Sequence, residues 1–441
     1  MSIKPRFIIS DLHLGEGQQS RLEDFDEQAA ENFIQFFKNV SALGGARVII
    51  NGDFIDFPQI SLGTISEPPQ KFLGTTEAES TLRLQKAIAG HPEEFDALQD
   101  FLAVRGNELL LIPGNHDVDF AWNRVLKTLM HRIGATRRNF KFGMVYKEGG
   151  VLVTHGHQYS DDNQIDVPIN FTFNRLNSCW GTYFVTNLFN TLEDRYPLLD
   201  NARPMWKVAL AAILFDEIVV TGKFAAEFML FLKNFRIPLK DYARSAVMGW
   251  KPKTRSLRQR DIDRIMDDIK IHALRDRLQE LRGNPQFRRE FDGVFREISE
   301  TQWEQVFSRY GGADYEILDF VQNTESRPQS RGIFSDMDNY QQAATLIARH
   351  HSDIQAVVMG HTHHGVDRKT LLADGTKERF AYFNTGSWIR TYDIPWWNLP
   401  GLGTLFDPSE YIQNSGVVRC DGEDEELETA YFETWQEALE G

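Results

Sequence analysis

The chain has 441 residues, 41% hydrophobic and 25% charged, which is ordinary for a globular protein and long enough for two domains or one domain with an insertion. A formal charge of −15 argues against a surface built throughout to hold nucleic acid, and two cysteines, Cys179 and Cys420, are too few for a disulfide framework. No stretch approaches the ~20 apolar residues that span a bilayer, and no signal-like segment follows Met1, so a cytoplasmic setting is expected.

In chain order, the apolar run 6–10 (Arg-Phe-Ile-Ile-Ser) predicts a strand that ends at Asp11-Leu12-His13. Residues 23–43 predict a helix, with apolar positions at Phe33, Ile34, Phe36 and Phe37. The run 47–51 (Arg-Val-Ile-Ile-Asn) ends just before Gly52-Asp53-Phe54-Ile55-Asp56. A helical pattern over 77–104 precedes a strand at 108–113, which ends at Gly114-Asn115-His116-Asp117. A helix over 120–133 and a strand at 151–154 follow, the latter ending at His155-Gly156-His157. The interval 159–335 reads as a mostly helical insertion, with apolar periodicity over 206–235 and 261–281. After it, 336–351 resumes as a helix, and a strand at 355–359 ends at Gly360-His361-Thr362-His363. Segments 367–372 and 379–383 read as antiparallel strands, followed by Asn384-Thr385-Gly386-Ser387-Trp388. Buried strands alternating with amphipathic helices imply an α/β fold, in which ligands gather at the carboxyl ends of strands. All five polar clusters sit there. The expected division is 1–158 and 336–441 as two parts of one core, with 159–335 inserted.

The clusters supply His, Asp and Asn and no thiolate, a donor set that suits Mn²⁺ first, with Fe or Zn²⁺ also compatible. Asp11 and His13 alternate on an extended backbone and can approach one ion, while Asp53 has two oxygens and could bridge to a second. Asn115, His155, His361 and His363 complete two shells. Two close ions lower the pKa of a shared water and clamp phosphate oxygens. His116 adjoins a ligand but is spare, so it can protonate a leaving oxygen, and Asp56 could hold it in orientation.

These clusters, in the order D-x-H, G-D-x-x-D, G-N-H-[DE], H and G-H-x-H, resemble the calcineurin-like metallophosphoesterase superfamily, over about residues 5–158 and 352–420. The resemblance implies a four-layer α-β-β-α sandwich. It places Asp11, His13, Asp53 and His363 on one metal, and Asp53, Asn115, His155 and His361 on the other. His116 would stand beside the leaving group, and metal-activated hydroxide would attack a phosphate ester or pyrophosphate. Phe57 stands where Ser/Thr phosphatases carry a phosphate-gripping arginine, which disfavours that subfamily. The stretches 11–15, 52–57 and 384–388 are more similar to UDP-2,3-diacylglucosamine pyrophosphatase-like proteins. Those proteins are far shorter and usually have His-Gly-Asp where this chain has His155-Gly156-His157.

Other features carry two readings. His157 supports a metal-ligating side chain or touches substrate, or is a polar strand-end residue; the aromatic stretch 388–406 is a packed loop or a wall of the site. Residues 236–296 hold 16 Lys/Arg against 9 Asp/Glu, a solvated helix face or, as a nuclease would need, a nucleic-acid surface. A partner-binding protein that keeps the fold without catalysis is a further alternative. Substrate identity and oligomeric state are not encoded in these motifs.

Overall fold

The computed structural model describes residues 4–20, 22–62, 75–159, 336–351, 353–372, 379–393, 411–421 and 427–432, with short stretches between 163 and 203 and positions 407 and 409. The helical runs expected at 206–235 and 261–281, and the basic segment 236–296, lie outside the described residues.

Strands β1 (Arg6–Ile9), β2 (Arg47–Asn51), β3 (Glu108–Ile112) and β4 (Phe140–Phe142) run parallel. Helices α1 (Glu27–Leu43), α2 (Glu77–Gly90), α3 (Pro92–Ala103) and α4 (Asn123–Arg132) fall between them in the chain. A second set comprises β5 (Tyr146–Glu148), β6 (Val151–Val153), β10 (Ala356–Met359) and β11 (Gly365–Leu372), with helix α5 (Asp336–His350) on its outer side. Short pairs β7 (Ile169–Asn170) with β8 (Arg175–Leu176), and β9 (Ala202–Arg203) against the end of β12, are the strands that the structure describes in the early insertion.

The two halves are joined by β12 (Arg379–Asp393), β13 (Ile412–Cys420) and β14 (Leu427–Phe432). The first part of β12 pairs with β10, and its second part, beyond a register break between Ser387 and Arg390, pairs with β13. β13 pairs with β1, so the strand order runs β4-β3-β2-β1-β13-β12-β10-β6-β5. Alternation along the strands sorts the side chains. Phe7, Ile9, Val48 and Ile50 face α1–α4, while Ile8 and Ile49 meet Val151, Val153, Val358 and Phe383 between the halves. Val357 and Met359 pack outward with Tyr340, Ala343 and Ile347 of α5. The layers are helix, sheet, sheet, helix, as the sequence implied.

Three of the differences from the sequence reading bear on the core. The helix expected over 77–104 is two helices, because Pro92 has no N–H to continue α2 and instead opens α3 at its first turn. Helix α1 starts at Glu27, not 23, since Asp26 caps it by accepting the Ala29 N–H at 2.8 Å. The strand expected at 379–383 continues to Asp393. Trp388 is fully buried on it, edge-on to Phe33 and Phe36 of α1, so at this position the aromatic stretch is core.

At the amino ends of the strands, away from the polar clusters, an ion network closes the sandwich. Arg47 donates to Glu108 at 2.9 and 2.7 Å, to the Tyr146 hydroxyl at 2.7 Å and to Glu148, while Arg6 donates to the Glu148 carbonyl at 2.9 Å.

Candidate metal centre

The loops after β1 and β2 run side by side. Asp11 N–H donates to the Gly52 carbonyl at 3.0 Å, His13 N–H to the Asp53 carbonyl at 2.9 Å and Asp56 N–H to the Leu14 carbonyl at 2.9 Å. Asp11, His13, Asp53, His361 and His363 all have positive φ, between 49° and 71°. Such left-handed backbone is uncommon outside glycine and costs of order 1–3 kcal/mol per residue, so the surrounding packing must enforce it. Its effect is to turn five side chains out of strand ends toward one space. Glycine lets the backbones close in: a Cβ on Gly114 would strike the Asp53 carboxylate, and one on Gly360 would strike Ser10 and Asp11.

Three overlapping groups result, each with ligand atoms within 4.8 Å of one another: Asp11, His13, Asp53 and His363; Asp53, His155 and His361; and His13, Asp56 and His116. Asp53 belongs to the first two. Its Oδ2 lies 3.2 Å from His155 Nε2 and 3.8 Å from His13 Nε2. His13 and His363 bring their Nε2 atoms to 3.0 Å. His13 Nδ1–H donates to Asp56 at 2.7 Å, and His155 Nδ1–H donates to the Asn51 carbonyl at 2.7 Å, so both rings turn Nε2 toward the centre, where a cation would displace its proton. Asn115 follows Gly114 in the same crowded loop, its Oδ1 buried with no hydrogen-bond partner among the described residues. Facing imidazole nitrogens, buried carboxylates and an orphaned amide oxygen are a donor set that fits divalent cations.

The charges are mutually tuned. Burial pushes Asp53 up, but the imidazoles of His155, His116 and His13 hold it well below the usual carboxylate range. Asp11 is likewise raised by burial and lowered overall by His363 and His155. Burial also raises Asp56, and His116 and His13 outweigh it. In return, His116 is pulled down by burial and lifted by Asp56 and Asp53 to about 10, and His155 is lifted past its burial by Asp53 and Asp11 to about 9. His157, buried beside His155, is pushed down to about 3 by burial and that neighbouring charge. The same two causes hold His361 well below the ordinary imidazole value.

His116 Nδ1 lies 2.9 Å from Asp56 Oδ2, the same oxygen that accepts from His13. It is the most exposed member, at 19% of its side chain, and so faces the mouth of the centre. His157 is buried next to His155, ring centroids 5.3 Å apart, with Nδ1 lacking a hydrogen-bond partner among the described residues. His364 is half-buried beyond the last pair. Phe57 is buried edge-on to Phe120, so this position turns into the core and presents nothing to an anion.

Several supporting residues escaped the sequence reading. Asp117 accepts N–H bonds from Phe54 at 2.7 Å and Gly114 at 2.5 Å, tying the second and third clusters together. On β12, Asn384 donates to the Gly360 carbonyl at 2.8 Å, Ser387 donates to the Asp11 carbonyl at 3.0 Å, and Thr385 meets Ser10, which donates to Asp11. The position of Asp117 inside the third cluster and of 384–388 after a strand were the available signals, but neither reveals a partner.

A polar centre of this composition, set at the carboxyl ends of strands from both halves of an α/β sandwich, has the donor set of a metal-dependent hydrolase. The sequence model of the calcineurin-like phosphoesterase family matches residues 5–208, just under half of the chain. No curated protein matches the chain. This match and the clustered His/Asp groups together support a metal-dependent phosphoesterase. Among the described residues no helix is long and apolar enough to cross a membrane.

Proposed function

We propose that the centre holds two divalent ions, most suitably Mn²⁺, and hydrolyses a phosphate ester or pyrophosphate. Asp11, His13, Asp53 and His363 would hold one ion, and Asp53, Asn115, His155 and His361 the other. When bound, such a pair acidifies a water and neutralises phosphate oxygens. The observation that carries this reading is the sharing of Asp53 between two buried His/Asp groups. His116, at the mouth and backed by Asp56, donates a proton to the departing oxygen; its partnership with a carboxylate favours the protonated ring needed for that step. With Phe57 buried, recognition of the rest of the substrate falls to other residues, among them the insertion.

Substrate class separates the readings within this function. Mn²⁺-supplemented protein is assayed against phosphomonoesters, cyclic and linear diesters, nucleotide-sugar pyrophosphates, including an acylated sugar, and oligonucleotides. We expect turnover of a small ester or pyrophosphate that is little affected by salt. Cleavage confined to oligonucleotides, falling steeply with salt, would instead establish a nuclease. Absence of turnover on every class would contradict the enzymatic reading and leave a partner-binding role.

A further inference from the structure

Three of the histidines proposed as ligands are held on the ring nitrogen by a different neighbour. His13 uses the Asp56 carboxylate at 2.7 Å, and His155 uses the Asn51 carbonyl at 2.7 Å. For His361 the neighbour is Asn163, whose side-chain amide lies 3.1 Å from His361 Nε2. Asn163 comes from beyond β6, where the sequence reading places the start of the insertion, and no motif marks it. Its other amide end faces Cys179 Sγ at 3.8 Å, and Cys179 is buried and accepts the Thr182 N–H at 3.5 Å. The ring of His361 is further fixed by its backbone, since its N–H donates to Asp11 at 3.0 Å, and by Tyr340 at a ring distance of 5.8 Å.

An imidazole that gives one nitrogen to a cation carries its proton on the other, and that N–H needs an acceptor if it is to stay in place. A primary amide has donor and acceptor ends of equal size, and a thiol can serve either one. A half-turn of the Asn163 amide therefore presents its oxygen to His361 Nε2–H while Cys179 satisfies the other end.

We propose that Asn163 is a positioning residue for His361: its side-chain oxygen accepts the Nε2 proton, leaving Nδ1 as the nitrogen available to the second ion. Through Asn163 and Cys179, the first residues of the insertion thereby set the affinity of one metal position and not the other. This rests on the two-ion reading above.

The test is Mn²⁺ titration of the full chain by calorimetry, with folding checked by thermal midpoint, for wild type, Asn163→Leu and Asn163→Asp. Wild type should bind two ions. Asn163→Leu, which removes the acceptor, should weaken one ion by roughly 10- to 100-fold and leave the other unchanged. Asn163→Asp, which keeps an acceptor, should restore that ion to at least wild-type affinity. Phosphoester hydrolysis by Asn163→Leu should return toward wild type as Mn²⁺ is raised, which mere distortion of the pocket would not permit. The proposal is overturned if Asn163→Leu binds both ions like wild type, if both ions weaken equally, or if Asn163→Asp is as weak as Asn163→Leu. If wild type binds no Mn²⁺, the two-ion reading itself falls, an outcome distinct from two unaltered ions in the variant.

Discussion

One oxygen of Asp56 serves two histidines, lying 2.7 Å from His13 Nδ1 and 2.9 Å from His116 Nδ1. The sequence suggested only the second of these, because nothing in G-D-x-x-D indicates that the loop after β1 lies alongside the loop after β2. The double contact gives a prediction that separates the two duties. His116→Ala should lower kcat by about 10²- to 10⁴-fold and leave the number of bound ions unchanged. Asp56→Asn should lower kcat and also weaken the ion held by His13, since an amide is a poorer acceptor for His13 Nδ1–H than a carboxylate. Steady-state kinetics at several Mn²⁺ concentrations distinguish them: added metal should recover part of the loss in Asp56→Asn and none in His116→Ala. Equal metal dependence in the two variants would contradict the shared role.

At the scale of elements, β12 does most to connect fold and site. Its Asn384, Thr385 and Ser387 brace the loops carrying His361 and Asp11, and Trp388 anchors the same strand against α1. Trp388→Ala should destabilise the protein by roughly 3–5 kcal/mol, read as a lowered urea midpoint, because it empties a fully buried site between Phe33 and Phe36. A loss below about 1 kcal/mol would show that the site is not close-packed core. The motif-bearing strands were legible in the sequence because each is a short apolar run that stops at a polar cluster. β13 was not, because Gln413, Asn414 and Ser415 break its alternation, and its place beside β1 is set by non-local pairing. The continuation of β12 was hidden for a similar reason: Gly386 and the register break give no local strand signal. The polar clusters that the sequence singled out are brought together by the fold. What could not be read was the scaffold of Asp117, Asn51 and Asn163, since a lone polar residue gives no sign of the partner that the fold will bring to it.

At the scale of the molecule, a buried ion pair links the helical layer to the loop after the first cluster. His91, at the junction of α2 and α3, lies 3.1 Å from Glu23 and 3.7 Å from Glu94; Glu23 in turn accepts the backbone N–H groups of Gly15 and Gly17. Burial lowers the His91 pKa, and the two glutamates raise it to about 9. A folded-state pKa above the unfolded value of about 6.5 means stability that is complete below pH 6.5 and lost as pH rises through 9. Its size is on the order of 3 kcal/mol, so urea midpoints should fall between pH 6.5 and 10 in wild type and fall less in His91→Gln. An equal fall in both would remove His91 as the cause. The central claim, that the clustered Asp and His side chains form a two-ion phosphoester site built around Asp53, is tested most directly by counting ions and turnover together. Chelator-treated wild type and Asp53→Asn are titrated with Mn²⁺, and bound ions per chain are measured alongside hydrolysis of an aryl phosphoester. The account predicts two ions per wild-type chain, turnover that rises with their binding, and a loss of roughly 10³-fold in Asp53→Asn together with weakened binding of both ions. Turnover indifferent to chelation, or an Asp53→Asn variant that binds two ions and hydrolyses like wild type, would contradict it.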